Sequence, residues 1–323
     1  MNRIACIAAL SAAVTSAHAA TPLEHFGICN ASAAVAVGGD RFLVADDDDN
    51  FLRLYRRDVS GPALGEPFDL SALLSIPGEK ETGEADIEGA AQIGKRIYWI
   101  GSHGRNTKKE VKPKRRQFFA TDLDEKNGVV SVTPVGKAYT GLLAALLDPK
   151  RLDAKYGLVE AETKTPEHGG LNIEGLAATP QGHLLLGFRS PLHEGKALIV
   201  PLQNPDALIA ASGTSPLLGA PIELALGGRG IRSIDYAAQL RAYLIVAGPA
   251  GQGGDFKIYK WSGAASDAPV LLKIDISGGM HPEALFALPD GKTFQLLSDD
   301  GDGCKDKKSN KPKKFRSFSI TVN

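Results

Sequence analysis

Four acidic residues stand at or near the start of apolar, strand-like runs. They are Glu88 in DIEGAAQIGKRIYWIG, Glu174 in NIEGLAATPQGHLLLG, Asp235 in GIRSIDYAAQLRAYLIVAG and Glu283 in HPEALFALPDGKTFQLL. Two further acidic clusters, ADDDDN (45–50) and SDDGDG (298–303), follow apolar runs instead of leading them. Carboxylates gathered in one place repel each other, so they must take up a proton, bind a cation or pair with a base. For a cation, calcium is expected, because it takes six to eight oxygen ligands in irregular geometry. The metal candidates are Asp47, Asp48, Asp299, Asp300 and Asp302. The alternation of Asp and Gly in the second cluster resembles a calcium loop that lacks the twelve-residue pattern and its closing glutamate.

Bases for the pairing route are at hand. Arg105, Arg189, Arg229 and Arg232 fall near the same strand ends, where they could neutralise the acids or hold an anionic ligand bidentately. Alternatively, each acid could simply accept hydrogen bonds from neighbouring backbone. His103, His168 and His281 lie close by, where histidine could act as general acid or base, and His103 is expected to bind a ligand together with Glu88, Glu174, Asp235, Glu283, Arg105, Arg189 and Arg232. No paired-histidine spacing supports a zinc site. There is no G-x-S-x-G elbow, P-loop or dinucleotide fingerprint, and GPAGQGG lacks the strand-to-helix setting such glycines need. Two basic stretches, 105–116 and 305–316, read as solvated loops or as a clamp for an acidic partner.

Five segments can be superposed, each an apolar strand, a Gly or Asp turn, a second strand, a polar loop and a third strand. The turns recur at Gly38-Gly39-Asp40, Gly94-Lys95, Pro180-Gln181-Gly182 and Pro289-Asp290-Gly291. A fourth strand fits behind most units, as in VVSVTPV from Val129 and PVLLKIDI from Pro269. The pattern predicts an all-β chain, a β-propeller of four-stranded antiparallel blades, five in number with six as the alternative. A β-sandwich would not require successive quartets to resemble one another. Aligning the units on their turns places Glu88, Glu174, Asp235 and Glu283 at the start of the innermost strands, with Ser32 near that place in the first unit. The stretch 139–157 has helical spacing and reads as an insertion. PLEHFG, near the N-terminus, could supply the missing fourth strand of the last blade.

The ends and composition set the context. Residues 1–19 read as an export signal: Arg3, an apolar run, then Ala17-His18-Ala19. The expected mature protein, 20–323, is one propeller domain, periplasmic or secreted and monomeric. No later run is apolar enough to cross a bilayer as a helix. The formal net charge of +0 offers no long-range attraction for nucleic acid. Once the signal is removed, Cys29 and Cys304 remain, and in an oxidising compartment they admit one intramolecular disulfide.

The DIEG and NIEG stretches, with RRQFFATDL, GKALIVPL and IRSIDY, resemble the bacterial domain-of-unknown-function family 3616 over most of the mature chain. That resemblance implies a propeller-like fold and a secreted bacterial origin, and no established reaction. The EGLA strand start followed by TPQG is also similar to phytase-like and esterase-like propellers, which would imply calcium and hydrolysis of phosphoesters or other esters. At the start of the innermost strands the acids are expected to surround the mouth of the propeller's central channel, and two functions are expected of this acidic mouth. One is binding of a small-molecule ligand or an envelope protein, with calcium in support; the alternative is metal-dependent hydrolysis.

Overall fold

The computed structural model describes residues 22–78, 83–148, 150, 152, 154–210, 213–276, 278–301 and 312–322. The export signal, Asp302 and Cys304 lie outside the described residues.

Alternating apolar residues in short strands give each sheet two buried faces. In the strand Leu184–Ser190, Leu184, Leu186 and Phe188 enter one apolar cluster while Leu185 enters another. The strand Ala242–Gly248 does the same with Leu244 and Val246 on one side and Ile245 and Ala247 on the other. Five such clusters result, and each fills the seam between two successive sheets. This is a five-bladed propeller, and among the described residues there is no sixth blade.

The innermost strands are Ala31–Val37, Ile87–Ile93, Asn172–Ala178, Gly230–Ala237 and Pro282–Ala287, in blades one to five. Each is followed outward by antiparallel partners, and the outermost strands Val129–Tyr139 and Val270–Leu272 match the expected fourth strands. The insertion after blade two consists of short helices, Leu142–Leu146, Ala154–Tyr156 and Leu158–Glu162, rather than one long one. Their Leu142, Leu146 and Leu158, with Leu152 from between the first two helices, pack into the seam between blades two and three.

Closure is by strand exchange, as the sequence predicts. Leu23–Phe26 pairs antiparallel with Lys314–Thr321 and completes the last blade, then pairs in parallel with Gly61–Pro62. His25 sits at the centre of this latch, fully buried, stacked on Phe315 at 4.9 Å between ring centroids and edge-on to Phe42 and Tyr55. Its Nε2 meets Ser317 Oγ at 2.8 Å while Nδ1 is buried without a partner, and burial pulls its pKa down to about 4. A histidine kept neutral in the folded state stabilises fully above its unfolded pKa, and that contribution is lost as pH falls toward 4. The stability advantage of the wild type over His25→Gln should therefore narrow by up to about 3 kcal/mol between pH 7 and pH 4. Urea unfolding at several pH values checks this; a gap independent of pH would mean that the buried ring does not govern closure.

Candidate functional site

The site is built on an irregularity that recurs in all five inner strands. Pairing with the second strand slips by one residue near the strand start, between Ala31 and Ala33, Ile87 and Gly89, Ile173 and Gly175, Ile231 and Ser233, and Pro282 and Ala284. The extra residue of such a bulge is re-aimed out of the ladder. The five bulged residues are Ser32, Glu88, Glu174, Arg232 and Glu283, all buried. The residue after each is small, since the inner strands crowd there: a Cβ on Gly89 would lie 2.9 Å from both Ile100 Cγ2 and Leu176 Cβ, and one on Gly175 would lie 2.7 Å from Ile231 Cγ2. That crowding accounts for the repeated Glu-Gly pair.

In blade four the bulge corrects the sequence alignment. Arg232, not Asp235, is the equivalent of the three glutamates. Asp235 lies three residues along the strand, where its carboxylate accepts from the N–H groups of Tyr236 at 2.8 Å and Ala287 at 2.7 Å. It joins blade four to blade five, and burial pushes its pKa up to about 6.

Arg232 stands between two acids. Its Nε is 2.8 Å from Glu174 Oε2, without the alignment of a hydrogen bond, and its Nη2 contacts Glu283 Oε1. Glu174 also receives Arg189 Nη1 and Asn172 Nδ2, each at 3.0 Å. Arg189 is further fixed by the carbonyls of Pro249 and Gly251, both at 3.2 Å. Burial holds Arg232 below its ordinary pKa, against the attraction of Glu174.

The acids between blades one and two are left with less. Glu88, Asp86 and Asp47 each offer an oxygen within 4.8 Å of the others. Asp86 has a positive φ of 51°, which an aspartate tolerates better than most residues, and Arg115 Nη1 reaches it at 3.0 Å. Asp47 Oδ1 is buried with no hydrogen-bond partner. Burial, then the neighbouring acids, pushes Glu88 and Asp47 well above the usual carboxylate range. Burial raises Asp86 to about 6 despite Arg115. A second acidic group, Asp46, Asp47 and Asp48, shares Asp47. There Asp48 is exposed and receives Asn30 Nδ2 at 2.6 Å, while Asp46 accepts from the N–H of Asp48 at 2.9 Å.

Other candidates serve as framework. Asp299 is close enough to raise Asp47 and is itself raised by burial, with the Gly301 N–H held on its Oδ1 at 2.7 Å. Asp300 is clamped by Arg316 through contacts of 2.8 and 2.6 Å. Arg105 does not face the central acids: its Nε donates to the Glu162 carbonyl at 2.6 Å, its Nη2 reaches the Glu162 carboxylate at 3.1 Å, and Arg116 joins it there. Arg229 pairs with Asp255. His103 is buried with Nδ1 at 2.8 Å from the Gly101 carbonyl, and burial lowers its pKa to about 4, so it is neutral at pH 7. His168 and His281 are exposed. Sequence reasoning singled out neither Asp86 nor its partner Arg115, although Asp86 stands two residues before Glu88. It also missed Glu162, which lies in the helical insertion.

The chain belongs to the family described as "Protein of unknown function (DUF3616)", whose model matches residues 30–129 and 141–294. No curated protein matches it. Among solved structures it is similar to a PQQ-bound aldose sugar dehydrogenase from Streptomyces coelicolor, with 14% identity, a TM-score of 0.45 and coverage of 94% of this chain and 98% of that one. It is also similar to the glutaminyl cyclase of Myxococcus xanthus, with 12% identity, a TM-score of 0.45 and coverage of 95% and 97%. At such scores these likenesses say nothing of this chain's chemistry.

Removing one partner of a buried ion pair strands the other charge. Arg232→Met should therefore cost about 3–5 kcal/mol in urea unfolding at pH 7.5. A loss under about 1 kcal/mol would show that Glu174 and Glu283 do not depend on it.

Proposed function

We propose that this protein is an exported binding propeller whose acidic mouth holds a calcium ion between blades one and two. In this reading Asp47, Asp86 and Glu88 are the principal ligands and Asp299 lies beside them. One observation carries it: three carboxylates from two blades meet within 4.8 Å, and a buried oxygen of Asp47 has no partner. Assembling such a group without a cation requires protonation, because burial and mutual repulsion both disfavour charge. The donors are all oxygen, which favours calcium over zinc or copper, and their number leaves room for water or a ligand carboxylate. A bound cation would cross-link the two blades and present a positive centre to an anionic small molecule or to an envelope protein's acidic side chain.

Export is supported by the N-terminal sequence, and no helix among the described residues is long and apolar enough to cross a membrane. In the compartment so reached, Cys29, buried at the start of blade one, pairs with Cys304. The mature protein should then show no reactive thiol when denatured and two after reduction. Two thiols before reduction would remove the pairing.

Metal-stripped protein titrated with calcium should melt higher, by a margin equivalent to about 2.7 kcal/mol at a hundredfold excess over Kd. Without metal, carboxylates raised on folding make the protein less stable as pH rises through about 4 to 6, since the folded state then binds more protons than the unfolded one. The calcium shift should therefore be larger at pH 7.5 than at pH 5, and Glu88→Gln with Asp86→Asn should abolish it. An unchanged melting temperature with calcium, magnesium, manganese and zinc would defeat the cation site. Hydrolysis of a phosphomonoester or carboxyl ester that depends on calcium and on Glu88 would move the assignment from binding to catalysis.

A further inference from the structure

The outer edges of the blades differ in one respect. Blades one, three and four end in strands of two or three residues, Phe68–Asp69, Ile222–Leu224 and Val270–Leu272, and the last blade's edge is covered by Gly61–Pro62. Short or covered edges keep unpaired backbone from recruiting another chain. Blade two ends in an eleven-residue strand, Val129–Tyr139. The helix Pro205–Ala210 lies against it near Gly136, where a Cβ would strike the Ile209 carbonyl. The segment Val129–Pro134 is left exposed or half-exposed, with Val129 at 69%. Its residues, Val-Val-Ser-Val-Thr-Pro, favour extended structure and carry no charge to deter pairing.

The ladder shows which backbone groups are free. Leu123 N–H donates to the Lys95 carbonyl at 2.8 Å, so the odd-numbered residues of the strand Phe118–Lys126 turn their backbone groups to the second strand. Its even-numbered residues turn outward to their partners: Asp122 to Thr133, Asp124 to Ser131 and Lys126 to Val129. Val130, Val132 and Pro134 therefore turn theirs away from the blade. Pro134, which has no N–H to donate, falls on the side where the ladder does not need one.

We infer that this edge pairs with the same edge of a second copy of the chain, antiparallel about a two-fold axis at Ser131. In that register Val130 faces Val132 of the other copy, and the outward N–H and C=O groups of both are satisfied reciprocally. Val129 faces Thr133, and Ser131 faces its own counterpart in a non-hydrogen-bonded pair, with no like charges opposed. An isologous contact of this kind closes at two copies and does not propagate. It sits on the circumference of blade two, does not involve the acidic mouth, and replaces the monomer expected from sequence.

The test uses the full mature protein in sedimentation velocity from 1 to 100 µM. A dimer is expected, and a monomer throughout would overturn the inference. Ser131→Lys changes an exposed side chain but sets two cations opposite each other, so it should convert the dimer to a folded monomer whose cooperative melt no longer depends on protein concentration. Facing residues in a non-hydrogen-bonded pair lie at a Cα distance of about 4.5 Å, within disulfide reach. Ser131→Cys should therefore cross-link to a covalent dimer under mild oxidation, and Val129→Cys, whose counterpart is Thr133, should cross-link far less. A dimer that survives Ser131→Lys, or equal cross-linking by both cysteine variants, would overturn the edge pairing.

Discussion

The guanidinium of Arg232, buried between Glu174 of the preceding blade and Glu283 of the following one, is the contact on which the charge arrangement of the mouth turns. Three glutamates and one arginine occupy equivalent bulges around the ring. A single buried cation can satisfy two acids but not a third. Arg189 adds its charge to Glu174, so two guanidinium groups meet that acid, while on the other side Arg115, alone among the described basic residues, reaches Asp86. Glu88, on the other side, is left with Asp86 and Asp47. The electrostatic asymmetry that makes a cation site plausible thus follows from which of the five bulges carries the positive residue.

The geometry beneath this is steric. Each bulge is followed by Ala, Gly or Ser, and at Gly89 and Gly175 even a Cβ would meet the neighbouring blade. The bulge turns one side chain out of the ladder, and the small residue lets the strands approach closely enough for those side chains to meet.

Around this centre several arginines among the described residues are tied into the frame. Arg105 and Arg116 secure the helical insertion through Glu162; Arg115 ties Glu84 and Asp86; Arg316 holds Asp300 and the carbonyls of Gly278 and Gly279. These are partly buried, multiply bonded pairs, a setting in which ion pairs fix geometry more than exposed pairs do. His25 and His103 are both held neutral by burial, one in the closing latch and the other beside the mouth.

Much of the architecture was legible from local pattern. Apolar alternation, recurring turns and self-similarity define strands, blades and the strand that closes the ring, because side-chain period and turn chemistry are properties of neighbouring residues. The repeated Ile-Glu-Gly marks Glu88 and Glu174, which occupy equivalent bulges of neighbouring blades. In blade four Asp235 carries the acidic character that marks the other blades, yet Arg232 fills the equivalent bulge, because the bulged position is set by strand pairing and not by side-chain type. Nor could spacing show that Arg105 faces Glu162, or that Asp47, Asp86 and Glu88 meet. Sequence alone determined the kind of fold and that acids would crowd one end of it. Which acids are neutralised and which are left together was decided by the ring, since that depends on distances between blades far apart in the chain.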